Sequence, residues 1–132
     1  MTFRYILVLK RNPALTPEEF REGYETRIVP RAKRAFSHLW SDYRRRYVMS
    51  TRSFAASAGI ELGADAPVFL FDAISEIGFK DKAAFEEQGR LSRLSENRAA
   101  INADEEYLFD RPNCWAVMCE IIDDDLSASA DG

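Results

Sequence analysis

The sequence predicts an α+β fold in which one four-stranded antiparallel sheet carries its helices on a single face. Three observations predict it. Four short runs rich in β-branched and aromatic residues, FRYILVLK, DYRRRYVMST, PVFLFDAISEI and NCWAVMCEII, read as strands. Two stretches with apolar residues at helical spacing lie between the first and second run and between the third and fourth, giving the order β-α-β twice. The length of 132 residues suits a single domain with an ordinary core.

Phe3 to Lys10 alternates little, as a strand buried on both faces does. Asn12-Pro13-Ala14-Leu15 is a turn, and Thr16-Pro17-Glu18-Glu19 supplies an N-cap, a proline at N1 and acidic residues in the first turn. A helix therefore starts at Pro17 with Phe20, Tyr24 and Ile28 inward, and Pro30 is expected to kink or end it. Asp42 to Thr51 is strand two, with Tyr43, Arg45 and Tyr47 on one face and Arg44, Arg46 and Val48 on the other. Residues 53–66, with Gly59 and Gly63, read as a long flexible connection, a lid candidate.

Pro67 to Ile77 is strand three. A helix over Lys82 to Gln88 follows, and after Gly89 a polar helix over Arg90 to Ala103. Asn113 to Ile122 is the last strand. Residues 1–122 thus form the domain, and 123–132 a flexible acidic C-terminal tail. Two β-α-β units pack as a ferredoxin-like sheet with both helical layers on one side. The bare opposite face is most simply covered by a second copy, so a two-fold homodimer around a shared barrel-like core is expected.

Hydrophobic residues make up 46% and charged residues 30%, away from disordered and membrane compositions. The apolar part of the opening MTFRYILVLKRN is too short for a secretory core or a bilayer span, which points to the cytoplasm and to no membrane partner. Net charge is −4, unevenly spread: residues 1–52 carry 12 Lys/Arg against 5 Asp/Glu, and residues 53–132 carry 6 against 17. The cluster Arg44-Arg45-Arg46 sits in an acidic chain that repels a polyanion, which argues against nucleic acid; the arginines instead pair with carboxylates. Cys114 and Cys119, five apart on one strand, point to opposite faces and read as free thiols. One histidine and no CxxC spacing argue against a zinc site.

KRNPALTPEEFREGYETRIVPRAKRAF is similar to the opening strand, turn and first helix of EthD-domain proteins. YRRRYV, FLFDAISEIGFKDKAAFE and ADEEYLFDR also resemble that family's central strand, following helix and acidic segment, so the likeness runs from about Arg4 to Glu120. The resemblance implies a dimeric α/β barrel, met near catabolic or polyketide-tailoring enzymes, with some relatives acting as cofactor-free decarboxylases, dehydratases or cyclases. One departure is that Ile28, two residues before Pro30, stands where the family usually has histidine. A family acid/base histidine therefore does not carry over to that position.

His38, the single histidine, follows the first helix in SHLWSDY. Imidazole titrates near neutrality, so His38 is a candidate proton carrier; the alternative is an ordinary surface loop. Trp40 and Tyr43 are candidates to wall an aromatic pocket. Tyr24, Tyr43 and Tyr47 converge either on a ligand, as hydrogen-bond donors to a developing enolate, or in plain core packing. Arg46 is a candidate for a substrate carboxylate, although it points away from Tyr47 in a regular strand. Asp72 and Glu76 lie in an apolar strand, where a carboxylate is costly unless paired or used. Asp72 is therefore either a general base or, like Glu76, an ion-pair partner of a strand-two arginine. Asp104, Glu105 and Asp110 are expected to fix the loop before the last strand.

The resulting expectation is a cofactor-independent lyase, dehydratase or isomerase moving a proton on a small aromatic or polyketide-like substrate. His38, Asp72 and Tyr47 would act in catalysis, and Tyr24, Trp40, Tyr43 and Arg46 in substrate binding, with no metal. The alternatives are a cofactor-free or haem-dependent oxygenase of the same fold and a non-enzymatic small-molecule-binding accessory protein. No phosphate loop or dinucleotide fingerprint occurs in the sequence.

Overall fold

The opening of the first helix is fixed by a reciprocal pair of hydrogen bonds. Thr16 Oγ1 accepts from the Glu19 amide at 3.1 Å, and Glu19 Oε1 accepts from the Thr16 amide at 2.9 Å, with Pro17 in the first turn. In the computed structural model, which describes residues 3–129, this capping box starts α1 (Pro17–Gly23).

Of the two outcomes expected at Pro30, a kink or an end, the helix does not end there. It passes through a π-helical turn (Tyr24–Ile28) into α2 (Val29–Phe36). The Val29 amide bonds back to the Tyr24 carbonyl across the widened turn, and Pro30 then stands in the first turn of α2, where its missing amide is no loss. The chain enters β2 (Trp40–Tyr47) through a 3₁₀ turn (Ser37–Leu39).

β1 (Phe3–Leu9), β2, β3 (Ala73–Phe79) and β4 (Trp115–Glu120) form a sheet in the order β2-β3-β1-β4, every neighbouring pair antiparallel. This is the expected ferredoxin-like α+β arrangement. The register aligns Tyr43, Ile77 and Tyr5 across three strands, then Arg45, Ser75 and Leu7, then Tyr47, Ala73 and Leu9. Those side chains face the helices. Leu9 and Ala73 pack with Phe20, Tyr24, Ile28, Val29 and Leu108 in one core cluster, while Ile77 packs with Phe36, Leu39, Trp40 and Ala84 in a second.

Several boundaries differ from the sequence reading. Strand two begins at Trp40 and ends at Tyr47, opposite Ala73, with one further bond from the Val48 amide to the Asp72 carbonyl at 3.0 Å. Strand three begins only at Ala73: Val68, Phe69 and Leu70, although strand-like in composition, lie exposed past the end of β1. Tertiary pairing overrides propensity there. Strand four is trimmed to Trp115–Glu120, the run that pairs with Phe3–Val8 of β1. Residues 53–66 include a short helix, α3 (Phe54–Ser57), capped by Ser53.

Gly89 does not interrupt the second helical layer, which consists of α4 (Lys82–Ser92) and α5 (Ser95–Leu108). The break falls at Arg93 and Leu94, whose amides make short bonds to the Arg90 and Leu91 carbonyls, while Asn97 Nδ2 also donates to the Leu91 carbonyl. Gly23 is demanded by packing: a Cβ built there would lie 2.5 Å from Leu108 Cδ2, so glycine sets how closely the first helix approaches α5. Of the acidic tail, residues up to Ser129 are described, with a short turn of helix α6 (Leu126–Ser129), and 130–132 lie outside the described residues.

The opposite sheet face is uncovered, but it is not uniformly apolar. Ile6, Val8, Trp115 and Val117 occupy its β1–β4 half, with Trp115 61% exposed. Across β1, β3 and β2 runs an ion network instead: Arg4 binds both Asp42 and Glu76, Arg46 Nη1 reaches Glu76 Oε1 at 2.8 Å, and Arg44 lies 3.8 Å from Asp42. The strand-two arginines are thus paired within the chain, Arg45 with Glu25 on the helix side.

Candidate functional site

Between the sheet and the helical layer lies a cavity of about 920 Å³. Its interior is apolar and aromatic, with Leu7, Leu9, Ile28, Phe36, Ile77 and Phe109 among its walls. The π-helical turn and the alternation of β2 and β3 bring a chain of three hydroxyls to this cavity. Tyr24 is 2% exposed, and its hydroxyl lies 2.8 Å from Ser75 Oγ and 3.3 Å from the Tyr43 hydroxyl. Burial pushes both phenols up from their ordinary range, Tyr43 strongly so and further raised by Tyr24. Both are protonated at neutral pH, so the chain offers hydrogen-bond donors rather than a phenolate.

Trp40 forms a neighbouring wall, its ring centroid 4.9 Å from that of Tyr43. Its indole Nε1 donates to Gln88 Oε1 at 2.6 Å, which ties β2 to α4 and fixes the ring. Glu105 is a carboxylate of the lining, held by Arg111 at 3.3 Å and Arg98 at 3.6 Å. Burial raises the Tyr5 phenol on the same wall, and the Glu105 charge adds to the rise. The Cys114 thiol also lines the cavity; burial raises it, and it accepts from the Lys10 amide at 3.3 Å.

The residues singled out from sequence are thus divided. Tyr24, Trp40 and Tyr43 meet in the large cavity. Tyr47 and Asp72 meet elsewhere, in a cleft of about 310 Å³ beside Phe20 and Arg21. There Tyr47 donates to Glu25 Oε2 at 2.5 Å, and Arg21 lies over its ring at 4.6 Å. Arg45 is the leading cause that lowers the Glu25 carboxyl. Asp72 pairs not with a strand-two arginine but with Arg11, at 3.1 Å, and Lys10, at 3.5 Å, and it also accepts the Arg11 amide at 2.9 Å. Arg46 lies on the opposite sheet face with Glu76. His38 is exposed in the 3₁₀ turn and does not line either space.

Sequence reasoning missed Ser75, Gln88, Glu105 as a wall residue, and the arginines of α5 and the loop after it. Ser75 was legible as the one hydroxyl in an otherwise apolar face of strand three. Gln88 was hidden by the expected helix break at Gly89. Asp104 and Glu105 were expected to secure the loop before strand four. Glu105 does so through Arg111, whereas Asp104 binds Arg31 of α2 at 2.6 Å and ties the two helical layers together.

A family model described as the EthD domain matches residues 12–112. No curated protein matches the chain. Among solved structures, an EthD family protein from Bacillus halodurans is 14% identical with a TM-score of 0.57, the match covering 92% of this chain and 100% of that one. An EthD-like protein from Ralstonia eutropha is 12% identical with a TM-score of 0.59, covering 96% and 98%. A dimeric protein of ferredoxin-like fold from Bacteroides fragilis is 11% identical with a TM-score of 0.54, covering 91% and 96%. At these identities the structures speak for the fold alone, and the ferredoxin-like fold named for the Bacteroides fragilis protein is the one found here. With the family model spanning the first helix through the loop before β4, the chain belongs to the EthD domain family.

Proposed function

We propose that the protein is a cofactor-independent lyase, dehydratase or isomerase that moves a proton on a small aromatic or polyketide-like substrate in the large cavity. The observation that carries this reading is the hydroxyl chain Ser75–Tyr24–Tyr43 ending in an apolar, aromatic space. A neutral phenol donor in a largely apolar pocket favours charge developing on a carbonyl oxygen and so makes the adjacent C–H bond more acidic. Trp40 and Tyr43 present ring faces for an aromatic substrate. In this reading Glu105, one of the two glutamates of the lining, takes the proton, while His38 and Asp72 lie outside the cavity.

The working unit in this reading is a homodimer formed through the uncovered sheet face. Trp115 and Val117 leave apolar area there that a second copy would cover, and the similar protein from Bacteroides fragilis is dimeric.

The test is turnover of aromatic and polyketide acids, aldehydes and alcohols, with products identified by mass, in the wild type and in Glu105→Gln, His38→Ala and Asp72→Asn. A fall of about 10²-fold or more in Glu105→Gln, with the other two near wild type, supports the assignment. Loss in His38→Ala or Asp72→Asn with Glu105→Gln active returns the proton to those residues. Binding without turnover in the wild type would replace the enzyme reading by that of a binding protein.

A further inference from the structure

The charge lining the cavity is opposite in sign to that of the chain. The lining holds four arginines, Arg31, Arg93, Arg98 and Arg111, against two glutamates, Glu86 and Glu105, in a protein whose net charge is −4. Arg31 is taken up by Asp104 at 2.6 Å, but the other three keep donors to spare. Arg98 and Arg111 converge: each donates to Asn102 Oδ1 at 3.1 Å, and each reaches the single carboxylate of Glu105. Their side chains are 42% and 46% exposed, so two guanidinium groups share one counter-charge at an open edge of the cavity. A guanidinium has five N–H donors, and these bonds use only part of the two forks.

Arg93 completes the group. Among the described residues its side chain has no hydrogen-bond or ion-pair partner. It leans back along α4 over Gly89, with Nη1 3.4 Å from where a Cβ would stand, and both residues line the cavity. Here the open space beside Gly89 is occupied by the Arg93 head.

We infer that the cavity takes an anionic ligand, an aromatic or polyketide-like carboxylate whose ring lies among Trp40, Tyr43 and Phe36 and whose carboxylate is held by Arg98 and Arg111, with the unpaired Arg93 adding positive charge to the same lining. This rests on the reading of the cavity as the substrate site and narrows its substrate class. A planar carboxylate matches the guanidinium fork, and the apolar wall behind it lowers the local dielectric and strengthens the pairing. A local excess of positive charge in an acidic protein also steers anions to this opening.

The experiment is calorimetric titration of the full chain with 2-naphthoate and, as the uncharged counterpart, 2-naphthamide, with quenching of Trp40, whose ring walls the cavity, reporting its occupancy. The carboxylate is expected to bind about tenfold or more tightly than the amide at low salt, with the advantage shrinking in 0.5 M salt. Arg93→Gln, which breaks no pair within the chain, is expected to weaken the carboxylate about five- to twentyfold and leave the amide unchanged, and Arg98→Gln and Arg111→Gln to act in the same direction. Equal binding of both probes, or an Arg93→Gln variant that still prefers the carboxylate to the wild-type extent, overturns the anion assignment while the cavity reading stands. If neither probe binds or quenches, both fail together.

Discussion

Tyr24 and Ser75, 51 residues apart, share a 2.8 Å hydrogen bond that is buried between the first helix and the middle of the sheet. Tyr24 reaches this position from a π-helical turn, and Ser75 is fully buried on the helix-facing side of β3. Tyr24→Phe keeps the ring and removes the oxygen, leaving Ser75 with a buried hydroxyl and no partner. The expected loss of stability is about 1–3 kcal/mol by urea denaturation. Tyr24→Phe combined with Ser75→Ala should recover part of it, since the stranded hydroxyl is then gone.

Gly23→Ala should destabilise the protein by about 1–3 kcal/mol, seen as a lower Tm with an unchanged fold by circular dichroism. The added methyl would stand 2.5 Å from Leu108 Cδ2, and Leu108 is fully buried, so its side chain has little room to yield. Leu108→Ala in the same chain should relieve that clash, so the double variant should be more stable than the sum of the two single effects.

The ion network on the outer sheet face predicts an acid-sensitive term. The Arg4 guanidinium is the leading cause that holds the Asp42 carboxyl down at about 2, below the roughly 3.9 of an unfolded chain. A depressed carboxylate contributes stability that is present above the unfolded value and lost as pH falls through the folded one. Wild type should therefore lose urea resistance between about pH 4 and pH 2 more steeply than Asp42→Asn. Equal slopes for the two proteins would show that the pair contributes nothing across this window.

Trp115→Glu or Val117→Asp should shift the protein to a monomer by light scattering at micromolar concentration, raising any dimer dissociation constant by about 100-fold or more. Both residues are exposed in the single chain, so neither change disturbs its core. A dimer that survives both substitutions would place the interface on another surface.

The sequence made the element order and topology legible because the first helix start carries a chemical signature and each strand a compositional one. Thr16-Pro17-Glu18-Glu19 announced its helix in full. What it concealed were effects that depend on partners. Pro30 reads as a helix end unless the widened turn before it is known. Val68 to Leu70 has strand composition but no strand opposite it. In the site, Tyr24, Trp40 and Tyr43 were legible as inward aromatic residues, and the alternation in strand two correctly put Arg46 on the face opposite Tyr43 and Tyr47. Register decided the rest. Tyr47 and Asp72 sit at the far end of their strands from Trp40, and so they meet each other in the smaller cleft rather than joining the larger cavity. Arg93, Arg98 and Arg111 carry no motif, and only the fold of α4, α5 and the loop beyond brings them to one cavity.

The most direct test of the account is the effect of Tyr43→Phe on the reaction of whichever substrate the wild type turns over. The hydroxyl chain predicts that kcat falls about 10²- to 10³-fold while KM changes by no more than a fewfold, because the phenol acts on charge that develops in the transition state. An unchanged kcat in a folded Tyr43→Phe variant would contradict the account, since the cavity would then bind its substrate without using the one feature that distinguishes it chemically.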